Sequence, residues 1–307
     1  MRPPDAPRRV VLVGPTASGK SSVAMHVART LGDVDIVAVD AMQVYVGMDI
    51  GTAKPTADDR SAVTHHCLDL VAPSERFTAT QYQQAAAAAL DEIHANDRRA
   101  LLVAGTGLYL TAVIDDLRFP GEWPDIRAEL EANPDTAALF ARLNELDPVA
   151  AARIEPANRR RIVRALEVCL GSGGRFSDAG PGTAEYPDNG VAQVGIRWVR
   201  PALAARIAAR VDEMIGDGLV DEVRELLTQD PPMSSTAAQA LGYKEMIDHL
   251  AGRASIADAR DEIVLRTTQF AVRQERWFRR DPRIRWVDVD GDPVETVSPA
   301  VLAAFAE

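Results

Sequence analysis

Short unbroken apolar runs alternate with helix-period segments over the first third of the chain. Val10–Val13, Val34–Val39 and Ala100–Ala104 are too short for helices and are bounded by polar or Gly residues. They read as parallel strands buried on both faces. Ser21–Leu31 carries apolar residues at Val23, Ala24, Val27, Ala28 and Leu31, which predicts a crossover helix. His65–Leu70 predicts a third short strand, and Thr78-Ala79-Thr80-Gln81 is a capping box opening a helix to about His94. Leu108–Ile114 predicts another helix. The rhythm breaks at Phe119-Pro120-Gly121-Glu122-Trp123-Pro124. From Asp125 to Gly171 the periods are helical, and Thr136–Leu146 and Arg160–Leu170 are amphipathic. Ser172–Gly190 is rich in Gly, Ser, Asp and Pro and reads as a mobile loop. Strand character returns over Val191–Val199, then helices over 202–215, 219–227, 246–250 and 256–278, a last strand over 285–289 and a short helix over 299–305. The pattern predicts an α/β core, a parallel sheet flanked by helices over 1–119 and 191–307, with an all-helical insertion over 120–190.

The chemistry begins at Gly14-Pro15-Thr16-Ala17-Ser18-Gly19-Lys20-Ser21, which fits G-x-x-x-x-G-K-[ST] at every fixed position. A strand leads in and a helix leads out, the context that separates a phosphate loop from a glycine-containing turn. The core is therefore expected to be P-loop NTPase-like. Loop N–H groups and the helix N-terminus converge on a polyphosphate, Lys20 reaches its oxygens and the Ser21 hydroxyl sits on Mg²⁺. The loop alone leaves open which polyphosphate binds and whether a phosphoryl group moves. Asp40 ends the second strand and faces the same crevice. Its position suits a Mg²⁺ ligand, a general base or a turn acid. Thr106, in Gly105-Thr106-Gly107 after the fourth strand, suits a phosphate or leaving-group contact, or a helix N-cap. His65 and His66 are neighbours in a predicted strand, so they point to opposite faces and do not form a metal pair.

Composition narrows the partners. The 307 residues carry a net charge of −11 with 47% hydrophobic residues, which excludes a generally basic nucleic-acid coat. Two arginine clusters stand against that background. One spans 150–175 with a net of +4, and the other spans 266–285 with a net of +5. They fit an anionic partner docking in defined places, or solvated helix faces paired with acids. Only Lys20, Lys54 and Lys244 are lysines among 34 basic residues. Lys20 needs a compact ammonium, and Lys54 and Lys244 are expected to have comparable reasons. Cys67 and Cys169 are the two cysteines and suggest buried apolar residues, not a disulfide or zinc site. The polar start of the chain and the lack of a long apolar run lead to the expectation of a cytoplasmic protein without membrane contact.

Four segments together are more specific than the phosphate loop. They are Gly14–Ser21, Asp40 through Met48-Asp49-Ile50-Gly51-Thr52-Ala53-Lys54-Pro55, Ala104-Gly105-Thr106-Gly107-Leu108-Tyr109, and Arg273-Gln274-Glu275-Arg276-Trp277-Phe278-Arg279. With them the chain resembles the tRNA dimethylallyltransferases (tRNA isopentenyltransferases) from about Val10 to Trp286. The lack of a zinc-finger cysteine pair resembles the bacterial type. The resemblance implies transfer of a dimethylallyl group from dimethylallyl diphosphate to the exocyclic amine of the adenosine 3′ of a tRNA anticodon. The loop Gly14, Pro15, Thr16, Ala17, Ser18, Gly19, Lys20 and Ser21 would then hold the diphosphate, with Mg²⁺ on Ser21. Asp40 would be the general base, and Lys20, Thr106 and Arg224 would complete the catalytic set. Arg224 matches a family arginine on the diphosphate, with a helix-surface ion pair as the alternative. The tRNA anticodon stem-loop would meet Asp40, Ala41, Met42, Gln43, Thr106, Arg127 and the run Arg160, Arg161, Ile162, Val163 and Arg164. Three departures from the family pattern are Ala41 for a serine, Arg160 for a glutamine and Ala104 for a glycine. A monomer is expected. The alternatives are a P-loop small-molecule kinase, an adenine-nucleotide prenyltransferase and a nucleotide-gated RNA-binding module.

Overall fold

The computed structural model describes residues 8–179 and 185–306. The expectations for the polar N-terminus and for the 172–190 loop therefore lie partly outside the described residues. In chain order the described elements are β1 (Arg9–Val13), α1 (Lys20–Leu31), β2 (Val34–Val39), α2 (Ala57–Ala62), β3 (His65–His66), α3 (Ala79–Ala95), β4 (Arg99–Ala104) and α4 (Gly107–Ile114). Next come α5 (Pro124–Ala132), α6 (Thr136–Leu146), α7 (Pro148–Arg153), α8 (Arg159–Ser172) and a 3-10 turn at Phe176–Ala179. The chain continues with β5 (Ala192–Trp198), α9 (Arg200–Gly216), α10 (Leu219–Leu227), α11 (Ser235–Ala238), α12 (Tyr243–Leu250), α13 (Ile256–Phe278), β6 (Ile284–Val289) and α14 (Pro293–Ala304).

The six strands form one sheet in the order β3-β2-β4-β1-β5-β6, with every pairing parallel. Val10 to Val13 are fully buried and all of β2 is buried, as continuous apolar runs in a covered parallel sheet require. The polar exceptions have partners. Asp35 accepts from Arg98 Nε at 2.7 Å, and Arg99 pairs with Asp33. α1 buries Val23, Ala24, Val27 and Ala28, the predicted stripe. β3 and α14 differ from expectation. β3 stops at His66 because Cys67 and Asp69 take positive φ, which breaks the extended backbone. α14 starts at Pro293, capped by Asp292, and runs through Pro299.

The chain divides into two compact units. Unit 1 runs to Asp115 and resumes at Tyr186, and unit 2 spans Asp116–Glu185. The return segment after Tyr186 is tied into unit 1 by side chains. Arg283 grips Asp115 through both terminal nitrogens and reaches Pro187 O, and Asn189 Nδ2 reaches Ile114 O at 3.0 Å. Unit 2 is helical, with its own core of Leu130, Leu139, Leu143, Ile154, Ile162, Val163, Leu166 and Cys169. Both cysteines are free and buried. No helix among the described residues is long and apolar enough to cross a membrane.

Candidate functional site

Strand register builds the site. Val13 pairs with Ala104, and Ala104 pairs with Val39. The next residues, Gly14, Gly105 and Asp40, therefore leave the sheet side by side at the carboxyl edge. β1 lies between β4 and β5, so the phosphate loop sits where strand order reverses, the usual ligand crevice of such sheets.

The loop turns its carbonyls outward onto fixed donors. Lys20 Nζ donates to Pro15 O at 2.8 Å, Arg206 Nε to Ala17 O at 2.9 Å and Trp198 Nε1 to Ser18 O at 3.0 Å. The Arg206 guanidinium also lies over the Trp198 ring at 4.7 Å. The N–H groups of Ala17, Gly19, Lys20 and Ser21 have no acceptor among the described residues. They are placed to cradle an anion at the start of α1. Gly19 closes the turn with φ of 94°, a left-handed conformation that suits glycine, and a Cβ there would lie 2.5 Å from Pro293 Cγ. Ser18 Oγ is buried and has no hydrogen-bond partner among the described residues, an unmet donor inside the loop.

Lys20 is the electrostatic centre. Desolvation and the repulsion of Arg210 push its pKa down to about 7, and Asp40 pulls the other way. Arg210 is itself lowered by burial, against the attraction of Asp40. The site thus joins Lys20, Arg210 and Asp40. Arg224 is not part of this group, because it is more than half exposed on α10 and its guanidinium is engaged by Asp221. Arg210, not Arg224, is the arginine coupled electrostatically to Lys20 and Asp40. Arg206 and Arg210 are four residues apart on α9 and share a helix face, the one sequence signal that could have singled them out.

Asp40 is held by one oxygen. Its Oδ1 accepts from Met42 N at 2.8 Å and Gln43 N at 3.3 Å, and Oδ2 accepts nothing from the described residues. Thr106 is the first-turn boundary of α4, yet its hydroxyl does not cap that helix. It accepts from Ala41 N at 3.2 Å and so links the β4 turn to the β2 turn. Gln43 donates to Thr52 O at 3.0 Å and Ala53 O at 3.2 Å. The 49–55 loop behind it is braced twice. The Glu222 carboxylate accepts the N–H groups of Asp49, Ile50 and Gly51 and the Tyr243 hydroxyl. The Lys54 ammonium, buried, donates to Tyr45 O, Asp49 and Asp69.

The Ser21 hydroxyl is exposed at the mouth of the cradle and makes no hydrogen bond within the described residues. No three His, Cys, Asp or Glu side chains among the described residues cluster as a metal cage. The donor set fits Mg²⁺ in its hydrated form, bound by one hydroxyl, phosphate oxygens and water.

In unit 2 the structure sorts the expected RNA contacts. Ile162 and Val163 are in the core at 0% and 4% exposure, which removes their side chains from any surface contact. Arg127 and Arg164 both bond the fully buried Glu167, which also accepts Trp123 N at 2.8 Å. Arg164 also donates to Pro120 O and Gly121 O. Burial raises the Glu167 pKa, but these bonds outweigh it and leave the carboxyl below its ordinary value. Arg160 and Arg161 are exposed and have no side-chain partner among the described residues. In unit 1 the second arginine cluster divides in the same way. Arg266 and Arg283 pair with acids, and Arg273 and Arg276 are exposed.

A parallel sheet with a phosphate loop at its switch point and a carboxylate on the adjoining turn defines a P-loop NTPase-like fold. The IPP transferase family model matches residues 43–281, and the chain belongs to that family. It is 46% identical to the tRNA dimethylallyltransferase of Streptomyces coelicolor over 287 residues, covering 92% of this chain and 91% of the relative. It is 45% identical to the tRNA dimethylallyltransferase of Thermobifida fusca over 289 residues, covering 92% and 90%. Among solved structures it is similar to the tRNA isopentenylpyrophosphate transferase of Bacillus halodurans, with a TM-score of 0.68, 37% identity and 97% and 96% coverage. A eukaryotic dimethylallyltransferase at 23% identity shares the fold, with a TM-score of 0.76 over 92% of this chain and 74% of that one.

Proposed function

We propose that this transferase moves the dimethylallyl group of dimethylallyl diphosphate to the exocyclic amine of the adenosine 3′ of a tRNA anticodon. The observation that carries the reading is the joining, across β1, β4 and β2, of an anion cradle to a carboxylate with one oxygen left open. The family membership supplies the class of reaction.

The residues divide the work. The N–H groups of Ala17, Gly19, Lys20 and Ser21 hold the diphosphate, and Lys20 and Arg210 stabilise the charge that grows on it as the carbon–oxygen bond breaks. The Ser21 hydroxyl would hold Mg²⁺, which would supply Lewis-acid stabilisation of the leaving group. The amine nitrogen bonds to the departing carbon, and its proton passes to Asp40 Oδ2. Met42 and Gln43 N–H groups keep that carboxylate turned toward the crevice. The adenine leaves the anticodon-loop stack to reach it, as bases do in other base-modifying enzymes. Thr106 holds the Ala41 amide in place and leaves its own O–H free to donate to the leaving group or to RNA. Unit 2 binds tRNA phosphates through Arg160 and Arg161.

The test is mass spectrometry of tRNA after incubation with the protein, Mg²⁺ and dimethylallyl diphosphate. A mass gain of one dimethylallyl group on the adenosine 3′ of the anticodon is expected. Transfer of a labelled γ-phosphate from ATP to a small molecule would instead identify a kinase. Prenylation of AMP in preference to tRNA would identify a nucleotide prenyltransferase.

A further inference from the structure

Gln274 is a buried polar side chain on α13, 6% exposed. Its neighbours Arg273 and Arg276 face solvent. Burying a primary amide is unfavourable unless both ends are bonded, and both are. Its Oε1 accepts from Thr16 N at 2.8 Å, and its Nε2 donates to Gly105 O at 2.7 Å. The orientation is unique, because a flipped amide would set N–H against N–H and oxygen against oxygen. The same Nε2 and Asp40 Oδ2 each lie 3.3 Å from the point a Cβ on Gly105 would occupy.

The location explains the need. The β1–β4 ladder ends at Val13 and Ala104. Beyond it the backbone must open into two turns, one holding the anion and the other carrying Thr106 beside Asp40. Among the described residues no strand hydrogen bond fixes the spacing of those turns. Gln274 joins an N–H of one to a C=O of the other, which is the work of a ladder rung, done by a side chain where the ladder has stopped.

We propose that Gln274 is a positioning residue for the transfer, setting the diphosphate loop against the Gly105 turn and Asp40. The inference rests on the proposed reaction. Displacement at carbon needs the leaving oxygen and the incoming nitrogen in line, so the distance between the two turns governs the rate. A residue serving only to fill the core could be replaced by an apolar side chain of equal length without loss of rate.

The experiment compares Gln274→Met and Gln274→Glu with the parent protein in single-turnover prenyl transfer to tRNA, with tRNA affinity and thermal unfolding as controls. Gln274→Met removes both bonds at nearly constant volume. Its transfer rate is expected to fall about 10–100-fold with tRNA affinity unchanged. Gln274→Glu keeps the acceptor for Thr16 and adds a negative charge toward Asp40. Asp40 already faces Lys20 from α1, Arg210 from α9, Tyr82 from α3 and Tyr109 from α4. The Gln274→Glu transfer rate is also expected to fall about 10–100-fold with tRNA affinity unchanged, because a carboxylate oxygen cannot donate to Gly105 O and the link between the turns is lost. A rate within twofold of the parent in Gln274→Met or in Gln274→Glu overturns the proposal. If Gln274→Met does not fold, Gln274→Glu decides. Failure of both to fold also overturns it, since Gln274 is then a residue of stability. Failure of the parent to prenylate tRNA overturns the proposed function instead.

Discussion

Lys54 and Asp69 form an ion pair that is closed to solvent on the lysine side and open on the aspartate side. The ammonium has three donors and meets three acceptors, Tyr45 O, Asp49 and Asp69. Arg60 Nη1 donates to the second Asp69 oxygen at 2.7 Å. Burial raises the Asp69 pKa, but Lys54 and Arg60 outweigh it and hold the carboxyl below its ordinary value. A guanidinium would bring five donors into a space with three acceptors. Lys54→Arg is therefore expected to destabilise the protein by about 1–3 kcal/mol in urea unfolding. Lys244, by contrast, makes a surface contact with Asp248 at 3.6 Å, so Lys244→Arg is expected within about 0.5 kcal/mol of the parent. Equal stability of the two variants would contradict this account. The pH dependence has a definite sign. The Asp69 contribution is present above its unfolded pKa and is lost as pH falls through the lower folded value. Acid unfolding of Lys54→Ala should therefore begin at higher pH.

Lys20 ties diphosphate binding to pH. In the free protein its pKa is about 7. A bound anion favours the ammonium and raises that value, so binding takes up a proton wherever free Lys20 is neutral. Affinity for inorganic diphosphate without Mg²⁺ should be full below pH 7 and fall up to about tenfold per unit above it. Calorimetry in buffers of differing ionisation enthalpy measures the uptake. No net uptake at pH 8 would rule this out.

Arg210 and Arg224 make opposite predictions. Arg210→Ala should lower the rate of prenyl transfer about 10²–10³-fold, as loss of a preorganised charge does. Arg224→Ala removes an exposed pair with Asp221 and should leave the rate within about twofold. The reverse order would return the diphosphate role to α10.

Asp40→Asn should preserve the carbonyl that accepts from Met42 and Gln43 while removing the base. Transfer should drop about 10²–10⁴-fold with tRNA affinity retained. Parallel loss of binding and rate would show that Asp40 builds the site instead of taking the proton.

In unit 2 the arginines should separate by function. Arg160→Ala and Arg161→Ala should each lower the slope of log affinity for tRNA against log salt by about 0.7–0.9. Arg164→Ala should leave the slope alone and weaken unit 2 by about 1–3 kcal/mol, because it takes a partner from buried Glu167. Trp123 fluorescence follows that unfolding. A flattened slope for Arg164→Ala alone would assign the RNA contact to Arg164.

The sequence by itself determined the strand runs, the phosphate loop, the α13 helix and the presence of a helical insertion. Each is written locally, in apolar periodicity, capping and the spacing of Gly, Lys and Ser. Asp40 and Thr106 were legible because each follows a predicted strand, and parallel strands end at one edge. The tertiary structure alone decided which charges meet. Arg210 and Arg224 are both helical arginines, and spacing does not say which faces Lys20. Arg160 and Arg164 lie in one run, yet one faces solvent and the other bonds the buried Glu167 and the distant Pro120 carbonyl. Gln274 bonds Thr16 across 258 residues, and Glu222 caps a loop 171–173 residues away. Hydrogen bonds and ion pairs act over about 3 Å in space whatever the separation along the chain, so their partners become visible only once the chain has folded.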